Sequence, residues 1–325
     1  MEMHSGKHRA DRLRRYSAAL APGASLVLLY LLYMAIKRIT RVEEGSASSF
    51  VLTEFNADTV EKQSADLLAR LNLGVSAVVY VVAWAACVFV MFHTICRVNM
   101  KRTEARFHAP IAGLVMLGIG ILLGIGNPLT ITPLRDLLVH SLDWMLLAHG
   151  QQWLELANAM GISVALLFVG AAAVTLSAPV LESTSPAAGV ADIALRIRMI
   201  DRSLYAGAVV LVAAVLHASI LHGLPRLYLP QADEKSLNDL ASGITFAQGT
   251  LWTLTLLAIY VPTAGLLRKW AHQAAAESQP HQAEAWLKEN GLDVSLVSQL
   301  KSLAAALAPL FAGSVADNLL KVLTG

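Results

Sequence analysis

Charge is scarce in this sequence. Asp, Glu, Lys and Arg make up 15% of its 325 residues, against roughly 25% in a soluble globular chain. The shortfall is concentrated. Six stretches, 18–36, 73–95, 109–126, 161–178, 204–224 and 244–267, contain none of the four residue types. A helix needs about 20 residues at 1.5 Å each to cross a hydrocarbon core of ~30 Å, and each stretch is close to that length or beyond it. The chain is therefore expected to be dissolved in a membrane as a multi-spanning helical protein. Because the spans hold no carboxylate and no strong base, they also lack the usual working parts of a proton- or ion-coupled pump.

Cysteine is equally sparse, with only Cys87 and Cys96. The two sit nine residues apart on one predicted span, which places them on opposite helix faces and rules out a disulfide between them. Enzyme signatures are absent as well. There is no G-x-S-x-G elbow, H-E-x-x-H pair, phosphate-cradling glycine loop or pair of intramembrane aspartates. Gly313-Ser-Val-Ala-Asp317 resembles a nucleophile turn only superficially, since no histidine lies near it. No stripe of arginines suggests voltage sensing, and no filter sequence suggests potassium selectivity. The expectation is a protein without catalytic activity, with no cofactor and no specific nucleic-acid binding.

What is present is an uneven charge distribution. With alternate crossings and the N-terminus inside, 17 Lys and Arg fall on the inner side and 8 on the outer. Counting acids makes the inner side +6 and the outer −4, within a total of +2. The positive-inside rule then places both termini in the cytoplasm, in keeping with a bacterial inner-membrane protein of six spans. Lys37, Arg38 and Arg41, just after the first span, run against that orientation. The basic N-terminal segment 1–17 and the apolar run after it read as an uncleaved anchor, because no small-x-small cleavage pattern follows.

Between spans, the first outer loop predicts a helix capped by Asp58, with Val60, Leu67, Leu68 and Leu71 on one face. The third loop predicts an amphipathic helix over 134–156. Its Arg135, Asp136, Asp143 and Glu155 disfavour a crossing, and Trp144 and Trp153 suit an interface. After the sixth span, 268–325 predicts a polar helix broken near Pro280, then a second helix beginning near Asp293. In the latter, Leu296, Leu300, Leu303, Leu307 and Leu310 follow 4-3-4-3 spacing, a short coiled-coil-like seam. A cytoplasmic hairpin packed beneath the bundle is the expected use of that seam. Self-association or docking of a cytoplasmic partner is the alternative.

Candidate working residues are few. Gly113, Gly120 and Gly124 of the third span form a small-residue face suited to close helix packing. Thr245, Gln248 and Thr255 share one face of the sixth span. A glutamine amide cannot be satisfied by lipid, so Gln248 is expected to point into the bundle, as interhelical glue or as the lining of a polar path. His140, His149, His217 and His222 lie at similar predicted depth and are weak candidates for metal or haem. The spacing of His217 and His222, about 140° apart around a helix, keeps both from one ion.

The sequence thus predicts an all-α polytopic membrane protein: six transmembrane helices over 18–267, an outer interfacial helix and a cytoplasmic C-terminal hairpin. Its partners are expected to be the lipid bilayer and either further copies of itself or a larger membrane complex. Three functions fit: an oligomeric channel or membrane effector controlled from the cytoplasm, an accessory or scaffold subunit, or a transporter or redox carrier.

Overall fold

A computed structural model describes residues 60–99, 135–146, 149–177, 186–225, 231–278, 283–289 and 304–312. The expected spans 18–36 and 109–126 lie outside these, as do Gly113, Gly120, Gly124, Leu296, Leu300 and Leu303. The described residues contain no strand. Their helices are α1 (Val60–Asn99), α2 (Arg135–Leu146), α3 (Gly150–Ser177), α4 (Pro186–Gly223), α5 (Gln231–Ser278) and α6 (Ala283–Glu289), followed by a short α7 over 304–312. Four of them, α1, α3, α4 and α5, are long and apolar enough to cross a membrane. The described part of the protein is all helical, and these four helices mark it as an integral membrane protein.

Three of these helices outrun the membrane. At 40, 38 and 48 residues, α1, α4 and α5 extend about 60–70 Å at 1.5 Å per residue, twice the hydrocarbon thickness. The loop helix expected before residue 73 and the second span are therefore one helix. Likewise, the polar helix expected from Trp270 is the tail of α5 as far as Ser278.

Side-chain bonds fix how the helices run. Tyr80 reaches Ala157 and Trp84 reaches Ser163, so α1 and α3 are parallel. Ser76 meets His217, and Arg196 meets Thr175, which sets α4 antiparallel to both. His222 meets Thr245, and Tyr260 meets Asp201, returning α5 to the direction of α1. The core lies among these four helices, around Tyr80, Met91, Phe168, Leu204, Leu211 and Leu256.

The interfacial helix expected over 134–156 differs in the structure. It is split: α2 ends at Leu146, and residues 150–156 belong to the spanning helix α3. The cause is local. Asp143 Oδ1 accepts the Gly150 N–H at 2.7 Å, satisfying an orphan donor in the first turn of α3 and placing negative charge at its positive end. A β-carbon on Gly150 would sit 2.5 Å from that of Leu142, so only glycine allows the approach.

The C-terminal hairpin also differs. Leu287 of α6 packs with Ile193, Ala194, Ala271 and Ala275 at one end of the bundle. By contrast, α7 lies against α5 well inside its apolar span. A β-carbon on Gly249 would come within 2.6 Å of the Pro309 carbonyl oxygen, and Ala306 is buried in the main core. The two helices part because α7 is apolar (Ala-Ala-Ala-Leu-Ala-Pro-Leu-Phe-Ala) and meets a glycine gap in α5, whereas α6 carries only Trp286 and Leu287 as large apolar anchors among charged residues. Leu307 and Leu310 of the leucine seam are half-buried in α7.

Candidate functional site: a polar cavity between the helices

Polar residues gather where α3 begins and α4 ends. One helical stripe of α3 presents Gln151, Glu155 and Asn158 there, at steps of four and three residues. His217 and His222 come from α4, Gln248 and Trp252 from α5, and Tyr80 from α1. Leu138 and Val139 of α2 close the rim. Together they surround a cavity of about 80 Å³, room for several waters at about 10–15 Å³ each.

His217 is held on every side. The indole N–H of Trp153 can only donate, and it reaches His217 Nε2 at 3.0 Å. Nε2 is therefore the bare nitrogen, and Nδ1 carries the proton toward Ser76 Oγ at 2.9 Å. Ser76 in turn donates to the Leu73 carbonyl at 3.0 Å. The Tyr80 ring stacks on the imidazole at 5.8 Å, and Trp153 meets it edge-on at 5.5 Å. Three helices are tied together through one neutral imidazole with both nitrogens used.

His222 is fixed at one nitrogen only. Thr245 Oγ1 donates to the Ala241 carbonyl at 2.9 Å and lies 3.0 Å from His222 Nδ1. A hydroxyl has one proton to give. With that proton on the carbonyl, His222 Nδ1–H is the donor, and Nε2 remains an acceptor with no partner among the described residues.

The sequence candidates separate in the structure. Gln248 is half-buried and lines the cavity. Thr245 orients His222, while Thr255 bonds only the Leu251 carbonyl of its own helix, at 2.9 Å. His217 and His222 share the cavity, whereas His140 and His149 are exposed outside it. No group of three His, Cys, Asp or Glu capable of holding a metal occurs among the described residues, and His217 has no nitrogen to spare.

Sequence reasoning passed over two charged contacts. Arg196 is buried; Nη2 and Nε meet Asp192 Oδ2 at 2.7 and 3.0 Å, and Nη1 donates to the Thr175 carbonyl at 2.9 Å. The guanidinium thereby satisfies an orphan carbonyl in the last turn of α3 and complements that helix's negative end. The i,i+4 spacing of Asp192 and Arg196 was the available signal. The second contact joins Tyr260 Oη to Asp201 Oδ1 at 2.8 Å. It pairs residues 59 apart, for which no sequence pattern exists.

No known protein family matches this chain, and no curated protein or solved structure is similar to it.

Proposed function

We propose that the protein is a non-enzymatic multi-pass membrane protein that acts by helix–helix assembly, as an oligomeric channel or membrane effector controlled from its cytoplasmic side. One observation carries this reading. The spanning window of α1 is 17% buried, against 67%, 56% and 44% for α3, α4 and α5. Its exposed residues include Leu71, Val75, Val78, Val82, Ala85, Phe89 and Phe92, an unbroken 4-3-4-3-4-3 series. That spacing keeps one seam facing a partner helix along a left-handed crossing, and it runs about 32 Å, the depth of the hydrocarbon core.

The test is a mass measurement in detergent and in lipid nanodiscs, with Val78→Cys and Val82→Cys oxidised to trap neighbours. The expected outcome is a dimer or larger species cross-linked through α1. A monomer that no cysteine on this seam can cross-link would overturn the reading.

The accessory-subunit alternative uses the same face for a different chain, and a stoichiometric co-purifying membrane protein would favour it. The transporter alternative draws on the cavity instead. It expects solute flux into liposomes that falls on Gln248→Leu, and unchanged flux would assign Gln248 to packing. Placement in a bacterial inner membrane with both termini cytoplasmic is proposed from the 17-to-8 distribution of basic residues. Reporter fusions at each terminus test it.

A further inference from the structure

The uncommitted groups of the cavity are chemically one-sided. Glu155 is the sole formally charged residue among those lining it, and no Lys or Arg joins them. Its Oε1 accepts from Gln151 Nε2 at 2.9 Å, which leaves the second oxygen open. His222 Nε2 offers a lone pair and, with Nδ1 committed to Thr245, no proton. The amides of Asn158 and Gln248 have no partner among the described residues and can each turn an oxygen inward. Trp252 adds an aromatic ring, and a cation over such a face is attracted by its quadrupole. Gly161 forms part of the wall. A β-carbon there would lie 3.1 Å from Trp252 Cζ2 and 3.4 Å from Tyr80 Oη, so the absent side chain lets both aromatic residues pack close against α3.

An anion is disfavoured here by the carboxylate and the imidazole lone pair. A neutral amide fails to use the charge. A ligand that matches has several N–H donors, one positive charge and few heavy atoms. We propose that the cavity is a binding site for a small primary ammonium compound, held by Glu155, by His222 Nε2 and by the carbonyl oxygens of Asn158 and Gln248. The proposal is independent of assembly through α1, since it needs only one copy of the bundle.

The experiment is calorimetric titration of the full-length protein in nanodiscs with methylammonium chloride, at constant ionic strength. Sodium chloride, tetramethylammonium chloride, acetamide and sodium acetate are the comparisons. Saturable binding of methylammonium, at least tenfold tighter than of any of the four, is expected. Glu155→Gln should weaken it at least tenfold while the unliganded melting temperature stays unchanged, because Glu155 is exposed and the substitution keeps its shape. Gln248→Leu, on the facing helix, should weaken it several-fold and provides a second reading if the first variant misfolds. Equal binding of tetramethylammonium would reduce the site to an aromatic contact and overturn the assignment of N–H recognition. Equal binding of acetamide, insensitivity to Glu155→Gln, or no saturable heat with methylammonium would overturn it outright.

Discussion

Trp153 of α3 donates its indole N–H to Nε2 of His217 on α4, 3.0 Å away. A residue expected at the membrane interface is thereby drawn into the bundle, where it sets the tautomer of a buried histidine. Trp153→Phe removes the donor and leaves Nε2 unpaired, at a cost of about 1–3 kcal/mol in addition to any packing change. Thermal unfolding in detergent reads the loss. In the wild type, nitrogen-15 shifts of His217 should show the proton on Nδ1 alone, and a mixture of tautomers would contradict the network.

Buried Arg196 pairs with half-buried Asp192 and also donates to the Thr175 carbonyl. Arg196→Met leaves the carboxylate without its partner and uncaps α3, and should cost less than the about 3–5 kcal/mol of breaking a fully buried pair, because Asp192 is partly solvated. Removing both charges, Arg196→Met with Asp192→Asn, should recover a large part of that loss. Denaturant unfolding of the single and double variants measures the coupling, and simple additivity would show that the two residues do not act together.

Gly249 permits α7 to lie against α5. The atom that blocks a larger residue is the Pro309 carbonyl oxygen, a backbone atom that no rotamer change can move aside. Gly249→Val should therefore displace α7 as a unit. Residues after Glu289 should be cleaved faster in limited proteolysis, while Tyr260 keeps its bond to Asp201. An unchanged cleavage pattern would mean that α7 is held elsewhere.

Glycines in the spans differ in what they do. Gly265 has nothing within 4 Å of an added β-carbon, so Gly265→Ala should be neutral or stabilise the helix by up to about 1 kcal/mol. Gly161→Ala presses on Trp252 Cζ2 at 3.1 Å and should shift Trp252 fluorescence as the ring gives way. Opposite signs in melting temperature for the two variants check this pair.

Much of the architecture was legible in the chain because lipid imposes a simple rule. A span must be apolar for about 20 residues; 73–95 and 244–267 fall inside described helices long and apolar enough to cross, and 161–178 and 204–224 begin inside two more that end at Ser177 and Gly223. Helix ends were less legible. α1, α4 and α5 continue far past their apolar cores, since polar residues such as Gln63, Arg196 and Lys269 propagate a helix as readily as apolar ones. The break between α2 and α3 depended on Asp143 capping Gly150, a contact across seven residues that hydropathy does not register.

The site was half visible. Gln248 stood out because an amide is costly in lipid, and His222 because it is titratable, but neither revealed the other. Their meeting depends on α4 and α5 running antiparallel, with His222 set beside Thr245. Glu155 read only as a charge that disfavours a crossing, and nothing in the sequence singled out Gln151 or Asn158, which α3 brings with it to the cavity. By itself, the sequence determined the solvent, the helical class and the four described helices long and apolar enough to cross, because the energy of burying charge in hydrocarbon is local to each segment. Tertiary structure alone decided which polar groups converge, how His217 is protonated and where α7 lies. Those outcomes rest on distances between helices, set by packing at positions such as Gly161 and Gly249 far apart in the chain.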